Sequence, residues 1–474
     1  MIVLLIRLMA VFLVALIPGL VPCGIYDQGS FFWILSYGLV WMVVMVSLIV
    51  GTRHLPVFRP NPHTAGLMIL LVWLSAIVLA GIPMKLMVPN MSWVDVLFEA
   101  ASGLTTTGAE VLLNLDSIPR GLIFYRLWLQ FIGGLGIVMF VLIVFPLMGL
   151  NHNAGLKFDL PGPARLHGVG VRQLTLVRYL WVGYVLLALS CAFLLWSCGL
   201  SLFDAFSESL GVVSTGGFNV YKDGFNHYPN AVKYVVMCFM WISSIGVMVH
   251  AGFWLSKDLR VYLRDKEHQW MMILFLVTVL LVLGGDLFSP VSALDKIFTV
   301  MSMITTSGYS VSELNQWSSV WLTVLLTLSA IGGCTGSTSG GMKQARLRHL
   351  CHELSASLRA FLHPNLAMGV RVPMQQASLA RVKSFSLMVQ GYLLVFLGGS
   401  WCSVVLLQIS GMDLVSAFSA TLACLTNTGS SMGLLTTSYA LLPTFSKTVL
   451  MIDMLLGRLE CIPLAAAFYA LLAD

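Results

Sequence analysis

Four tetrads hold the residues best suited to chemistry: Thr105-Thr106-Thr107-Gly108, Ser214-Thr215-Gly216-Gly217, Thr305-Thr306-Ser307-Gly308 and Thr426-Asn427-Thr428-Gly429. They supply no imidazole, thiol or carboxylate, so what they offer is oxygen, from hydroxyls and backbone carbonyls. A terminal glycine accepts the positive φ that a strand with its carbonyls turned inward requires and that a Cβ would resist. Stacked rings of such carbonyls can replace the hydration shell of an ion. The candidate coordinating residues are Thr106, Thr107 and Gly108; Thr215, Gly216 and Gly217; Thr306, Ser307 and Gly308; and Asn427, Thr428 and Gly429. Serine and threonine hydroxyls are expected to bond behind the loops and hold them open.

Each tetrad is presented in the same way. A Ser-x-x-Asp opening (Ser92/Asp95, Ser201/Asp204, Ser292/Asp295, Ser410/Asp413) reads as a helix N-cap with an acidic third residue. A run of 10–13 small or apolar residues follows, too short to cross a bilayer. From cap serine to last glycine is 16 residues in the first three units and 19 in the fourth, which predicts almost one extra turn there. The span after each tetrad carries a small-residue cluster: Gly133-Gly134-Leu135-Gly136, Ser243-Ser244-Ile245-Gly246, Gly332-Gly333 and Gly457-Arg458. Close helix packing is the plain reading of these clusters. A half-helix ending at mid-membrane aims the negative end of its dipole at the axis. Irregular backbone survives at that depth only beside water or buried in protein. Four turns that merely cap buried half-helices are the bland alternative, and the fourfold phasing argues against it.

The rest of the chain supports that placement. Of 474 residues, 58% are hydrophobic and only 10% charged, against about 25% charged in soluble domains, and the mean hydropathy is +0.90. A cytosolic enzyme, a disordered chain and a nucleic-acid binder with a broad basic face are excluded. Ten apolar stretches approach the roughly 20 residues of a span: 3–21, 31–52, 65–84, 122–149, 173–199, 230–256, 269–289, 318–342, 384–409 and 444–472. Strand-like alternation is lacking, so they read as helices. The 9 cysteines are scattered without a C-x-x-C pair, which indicates neither a disulfide framework nor a zinc site. Residues 1–24 could pass for a signal peptide, but Arg7 lies too deep and a second apolar run follows at once, so a retained helix is expected. Most Lys and Arg residues fall on one side of the spans, placing both termini in the cytoplasm. Acidic residues such as Asp27, Asp95, Glu110 and Asp223 gather on the external face, where they would concentrate cations.

One span contains Gly332-Gly333-Cys334-Thr335-Gly336-Ser337-Thr338-Ser339-Gly340-Gly341, which cannot make a rigid helix. Flexible polar backbone in the inner half of a pore is a natural gate, with Gly332, Gly333, Thr335, Gly336, Ser337, Gly340 and Gly341 as its candidate residues. A phosphate-binding loop fails on spacing, because Met342 follows Gly341 and neither Ser nor Thr follows Lys343. Arg458, halfway along the last span, costs at least about 2.5–3.5 kcal/mol at mid-bilayer and must face protein or water. Neither Asp453 nor Glu460 shares its helix face, so a pore-facing role is expected. In the basic linker 343–383, His349 and His352 read as part of a solvated helix ahead of a metal pair, and the basic residues suit anionic lipid. A membrane-embedded enzyme finds no support: H-E-x-x-H and paired carboxylates do not occur, and His250 is the one histidine close to a span.

The four span–loop–span units, the stretch Ile331–Lys343 and the Leu455–Glu460 stretch L-L-G-R-L-E resemble the Trk/Ktr/HKT superfamily of potassium transporters, most closely its bacterial Trk uptake subunits. The resemblance covers nearly the whole chain. It implies an all-α polytopic membrane protein with two N-terminal transmembrane helices (1–60) and four pseudo-symmetric helix–pore loop–helix repeats around one ion pore. The repeats are 61–150, 151–257, 258–345 and, with the basic cytoplasmic linker, 346–474. It further implies potassium uptake across the bacterial inner membrane, with K⁺ held at the tetrads as cargo and no covalent cofactor. In the family a glycine ending all four tetrads goes with potassium, and serine in the first goes with sodium permeation. The glycine-rich stretch becomes an intramembrane loop beneath the filter, and Arg458 the arginine thought to help the ion leave. Partners implied are a second copy, membrane lipid and a cytosolic nucleotide-binding regulator, with no nucleic acid. A proton- or sodium-coupled symporter is the alternative, and it would need an ionisable relay inside the membrane. The chain departs from the pattern at Ser430-Ser431, where relatives often have proline, and at Gly216, a second glycine before Gly217.

Overall fold

The computed structural model describes residues 2–26, 28–52, 54, 62–112, 115–139, 173–285, 291–311, 317–362, 376–431 and 438–459. The far parts of the expected spans 122–149 and 444–472, together with Glu460 and His363, lie outside them. The described residues fold almost wholly as helices. Two apolar helices, α1 (Ile2–Tyr26) and α2 (Gln28–Thr52), come first, then α3 (Pro62–Met87), α4 (Trp93–Leu104) and α5 (Arg120–Met139). Next are α6 (Gln173–Ser197), α7 (Leu202–Val213), α8 (Asn230–Ser244) and α9 (Val247–Ser256). A short α10 (Arg260–Arg264) leads to α11 (Lys266–Gly285), α12 (Ala293–Ile304), α13 (Ser319–Ile331) and α14 (Gln344–Leu362). The last three are α15 (Gln376–Ile409), α16 (Leu414–Leu425) and α17 (Thr444–Arg458).

Among the described residues, 5 helices are long and apolar enough to cross a membrane: Leu5–Tyr26, Gly66–Met87, Arg178–Ser197, Lys266–Gly285 and Ser386–Ile409. Two expected spans are interrupted. Stretch 230–256 is a pair, α8 and α9, bent by 91° at Ile245-Gly246. Stretch 318–342 is helical only to Ile331 and turns at Gly332, whose φ is +74°. In both, small residues remove the side-chain packing that would favour continuing the helix.

The short helices α4, α7, α12 and α16 sit inside this frame. Each packs on its two flanking long elements and on the element that ends the preceding unit: α17 on α4, α5 on α7, α8 on α12, and α13 on α16. The order closes on itself. α1 lies outside, against α2, α3 and α5, and the Trp128 indole donates to the Ala15 carbonyl at 2.9 Å. Exposed apolar side chains such as Phe193, Leu280, Leu394 and Ile409 line the periphery, as expected where the neighbour is lipid.

Candidate ion-conduction site

The half-helices begin as their caps dictate. The Ser92, Ser201 and Ser292 hydroxyls each accept the N–H of the aspartate three residues on, at 3.1 Å in all three. Ser92 and Ser292 also donate to that aspartate's carboxylate, at 2.7 and 2.8 Å. The fourth unit differs from expectation. Its cap is Asp413, whose carboxylate accepts the Ser416 N–H at 3.0 Å, while Ser410 pairs with Ser446 at 2.7 Å. The extra turn does not exist: all four half-helices have 12 residues. Counted from Asp413, the distance to Gly429 is the same 16 residues as Ser92 to Gly108. Aspartate caps as well as serine, so the motif slid by three places without altering the helix.

At the other end each half-helix closes with a Schellman turn. The third tetrad residue donates its N–H back to a helix carbonyl: Thr107 to Ser102 (2.9 Å), Gly216 to Gly211 (2.9 Å), Ser307 to Ser302 (2.8 Å) and Thr428 to Ala423 (2.9 Å). Such a turn needs a left-handed residue, ordinarily glycine. Here it is Thr106 (φ +54°), Thr215 (+51°), Thr306 (+53°) and Asn427 (+53°). A β-branched residue at positive φ is an outlier, and three of them at matching points mark strained backbone. The terminal glycines follow at φ +80°, +86°, +72° and +72°.

Those glycines also bring the loops together. A Cβ on Gly108 would stand 2.5 Å from the Gly216 carbonyl oxygen, and one on Gly217 would stand 2.8 Å from that of Ser307. One on Gly308 would overlap the Thr428 carbonyl, and one on Gly429 that of Thr107. Every terminal glycine therefore lies against the third-residue carbonyl of the next loop, in cyclic order. The twelve tetrad residues expected to coordinate an ion are one cluster, and glycine is required there by space as well as by φ.

The expected hydrogen bonds between tetrad hydroxyls are present. Thr105 pairs with Thr107 (2.7 Å), Thr305 with Ser307 (2.9 Å) and Thr426 with Thr428 (2.9 Å). In the second loop Gly216 lacks a hydroxyl, and the Gln130 amide donates to its carbonyl instead. Glu99 and Glu208, equivalent in their half-helices, accept the N–H of Val111 and Val220, both at 3.0 Å. Arg126 is fully buried, donates to Glu99 at 2.6 Å and lies 4.1 Å from the Phe218 ring centre, linking the first loop to the second. The Tyr439 hydroxyl donates to the Gly429 carbonyl at 3.0 Å. Sequence reasoning anticipated the hydroxyl pairs but not the parts played by Gln130, Glu99, Glu208, Arg126 and Tyr439. The matching offset of Glu99 and Glu208 from their cap serines was the available signal.

The glycine-rich stretch lies directly against the helix side of the tetrads. Thr215 and Thr338 hydroxyls meet at 3.2 Å, the Gly340 N–H reaches the Thr306 hydroxyl at 2.6 Å, and the Gly341 N–H reaches the Thr426 carbonyl at 3.1 Å. Gly332 and Gly333 pack tightly against Gly340 and Ser339, whereas Gly336 has open space around it. The Ser337 hydroxyl bonds the Cys334 carbonyl at 2.7 Å, and the Thr335 N–H bonds the Glu267 carboxylate at 2.7 Å. Arg458 is buried and donates to the carbonyls of Thr338 (2.8 Å) and Gly133 (3.1 Å), while Asp453 accepts from Ser403 at 2.6 Å. The small-residue clusters are close-packing points: Gly133 abuts the Leu104 carbonyl, Gly457 that of Leu425, and Gly246 that of Thr335. Among the described residues no group of His, Cys, Asp and Glu could hold a metal ion. His349 instead lies 3.6 Å from Glu353.

Known proteins match this arrangement over most of its length. The family model TrkH, described as cation transport protein, matches residues 58–473. The Trk system potassium uptake protein TrkH of Salmonella typhimurium is 32% identical over 391 residues, 80% of this chain and 79% of that protein. The Trk system potassium uptake protein TrkG of Escherichia coli is 28% identical over 413 residues, 85% and 84% of the two chains. The crystal structure of the potassium transporter TrkH from Vibrio parahaemolyticus superposes with a TM-score of 0.83 at 28% identity, covering 98% of this chain and 96% of that one.

Proposed function

The chain belongs to the TrkH family of cation transport proteins, and from that premise we propose that it takes up potassium across the bacterial inner membrane. The tetrads act as the selectivity filter, and the glycine-rich loop beneath them is the gate. The observation that carries this reading is the cyclic contact of the four terminal glycines with the third-residue carbonyls of the neighbouring loops. Rings of carbonyl oxygen on a strained, braced backbone suit a dehydrated monovalent cation. Two N-terminal helices (1–60) flank four pseudo-symmetric units bounded at 61–150, 151–257, 258–345 and 346–474, with both termini cytoplasmic. Thr338, held by Arg458 and touching Thr215, blocks the path below the filter, and Arg458 lowers cation affinity there. Two copies pair, and a cytosolic nucleotide-binding subunit opens the gate. Helix α14, which exposes Leu354, Leu358 and Phe361, offers such a subunit a surface at the linker.

A coupled symporter is the second reading, and one observation favours it. Asp453 is a fully buried acid with a Ser403 hydroxyl on one oxygen and, among the described residues, no hydrogen-bond partner on the other, as a proton relay would need. The test is growth of a potassium-uptake-deficient bacterium at limiting K⁺ with this chain and its cognate regulator expressed. Rescue supports the assignment. Failure, with the protein present in the membrane, removes it. Rescue with an Asp453→Asn chain separates the readings, because a relay through that carboxyl could not survive the change.

A further inference from the structure

We propose that Glu267 is a positioning residue of the gate, clasping Thr335 of the glycine-rich loop to a stitched unit formed by α8–α11. This rests on the reading of residues 332–341 as the gate.

The clasp is built at the broken span. Between Ser244, where α8 ends, and Val247, where α9 begins, the helix pair bends by 91°. A break of that kind strands carbonyls on one side and N–H groups on the other. The loop supplies both missing partners: the Cys334 N–H donates to the Ser244 carbonyl at 3.0 Å, and the Gly336 carbonyl accepts from the Val247 N–H at 3.1 Å. Thr335 between them points its carbonyl at Gly246, where a Cβ would stand 2.7 Å away. Its N–H points the other way, to Glu267 Oε2 at 2.7 Å. Glu267 is 1% exposed and sits in the first turn of α11.

The unit that carries Glu267 is fixed to the break by two imidazoles. His250 Nε2 lies 3.1 Å from the Ile242 carbonyl, which can only accept, so that nitrogen bears the proton and Nδ1 accepts from the Tyr262 hydroxyl at 2.9 Å. The Trp241 indole donates to His268 Nε2 at 3.0 Å, so His268 Nδ1 donates to the Tyr262 carbonyl at 2.9 Å. α8, α9, α10 and the start of α11 are thereby stitched into one body. A shift of that body on the cytoplasmic side is passed through Glu267 to Thr335, and so to Thr338 under the filter.

Cys334 is 1% exposed and reports the loop's position. The experiment uses the full chain in liposomes with Cys334 as the only thiol. It measures rubidium flux and the rate at which a methanethiosulfonate reagent modifies Cys334. Glu267→Ala is expected to raise both several-fold, and Glu267→Gln, which keeps an oxygen for the Thr335 N–H, to return both close to wild type. Gly246→Ala, whose methyl presses on the Thr335 carbonyl with Glu267 intact, is expected to move both in the same direction as Glu267→Ala. It serves as the test should Glu267→Ala not fold. A chain lacking Gly336–Thr338 tests the gate by itself and is expected to conduct more. If that deletion raises flux while Cys334 stays as protected as in wild type in both substituted chains, the gate stands and the role of Glu267 is overturned. If the deletion leaves flux unchanged, the gate reading falls and takes the clasp with it.

Discussion

A threonine held at positive φ costs of order 1–3 kcal/mol, and Thr106, Thr215 and Thr306 all accept that cost. Thr306 illustrates the return, since its hydroxyl is where the Gly340 N–H ends, at 2.6 Å. Thr306→Val keeps the branched shape but orphans a buried N–H, which should lower stability by about 1–3 kcal/mol and loosen the loop; Thr306→Ser should restore most of it. Thermal unfolding in detergent, read beside rubidium flux, checks both. Arg126 makes a second case. With the guanidinium fully buried against Glu99, Arg126→Leu leaves a buried carboxylate uncompensated and should cost about 3–5 kcal/mol. Adding Glu99→Gln should recover part of the loss, and equal stability of the single and double variants would deny the coupling. The terminal glycines were legible in sequence because a residue without a side chain, recurring four times at one phase, marks a backbone that tolerates no Cβ. The left-handed threonines were not, because nothing in a Thr-rich tetrad distinguishes a strained threonine from an extended one.

At the scale of elements, the recurring 12-residue half-helix was legible from cap and length, and the one departure is instructive. Ser410 satisfies the Ser-x-x-Asp pattern as well as Ser92 does, but α15 runs on to Ile409 and Asp413 takes over the cap. Asp413→Ala should therefore cost about 1 kcal/mol of helix stability, while Ser410→Ala loses only a hydroxyl pair with Ser446. The Ser416 hydroxyl, and then its N–H, hold the Asp413 carboxyl below its ordinary range. A depressed folded-state pKa means the stabilisation is complete above the ordinary carboxylate range, near pH 4, and is lost as pH falls through the lower folded value. Unfolding followed from pH 7 to pH 3 should show that loss in wild type and a flatter course in Asp413→Asn, which still caps when neutral; parallel curves would count against it. The break at Ile245-Gly246 was visible only as a small-residue cluster. A kink fastened by another segment's backbone leaves no mark in its own sequence beyond the absence of bulk.

Among the described residues, the four half-helices and the loops that follow them meet in cyclic order twice, once through helix packing and once through the glycine–carbonyl contacts. The repeat and its phase were legible along the chain. The closure was not, because it is made of contacts between units, such as Gln130 to the Gly216 carbonyl and Arg126 to the Phe218 ring, that no repeated motif marks. The central claim is that this closed ring of glycine-terminated loops selects potassium. Gly108 tests it most directly: a serine there must be carried at φ +80° with its Cβ 2.5 Å from the Gly216 carbonyl, so it must shift the second loop. The measurement is rubidium uptake into liposomes holding the wild-type chain or Gly108→Ser, with sodium or potassium as competitor. Potassium alone should compete in wild type, and in the variant sodium should compete or uptake collapse. Equal competition by sodium and potassium in wild type, or a variant indistinguishable from it, would contradict a glycine ring that selects potassium.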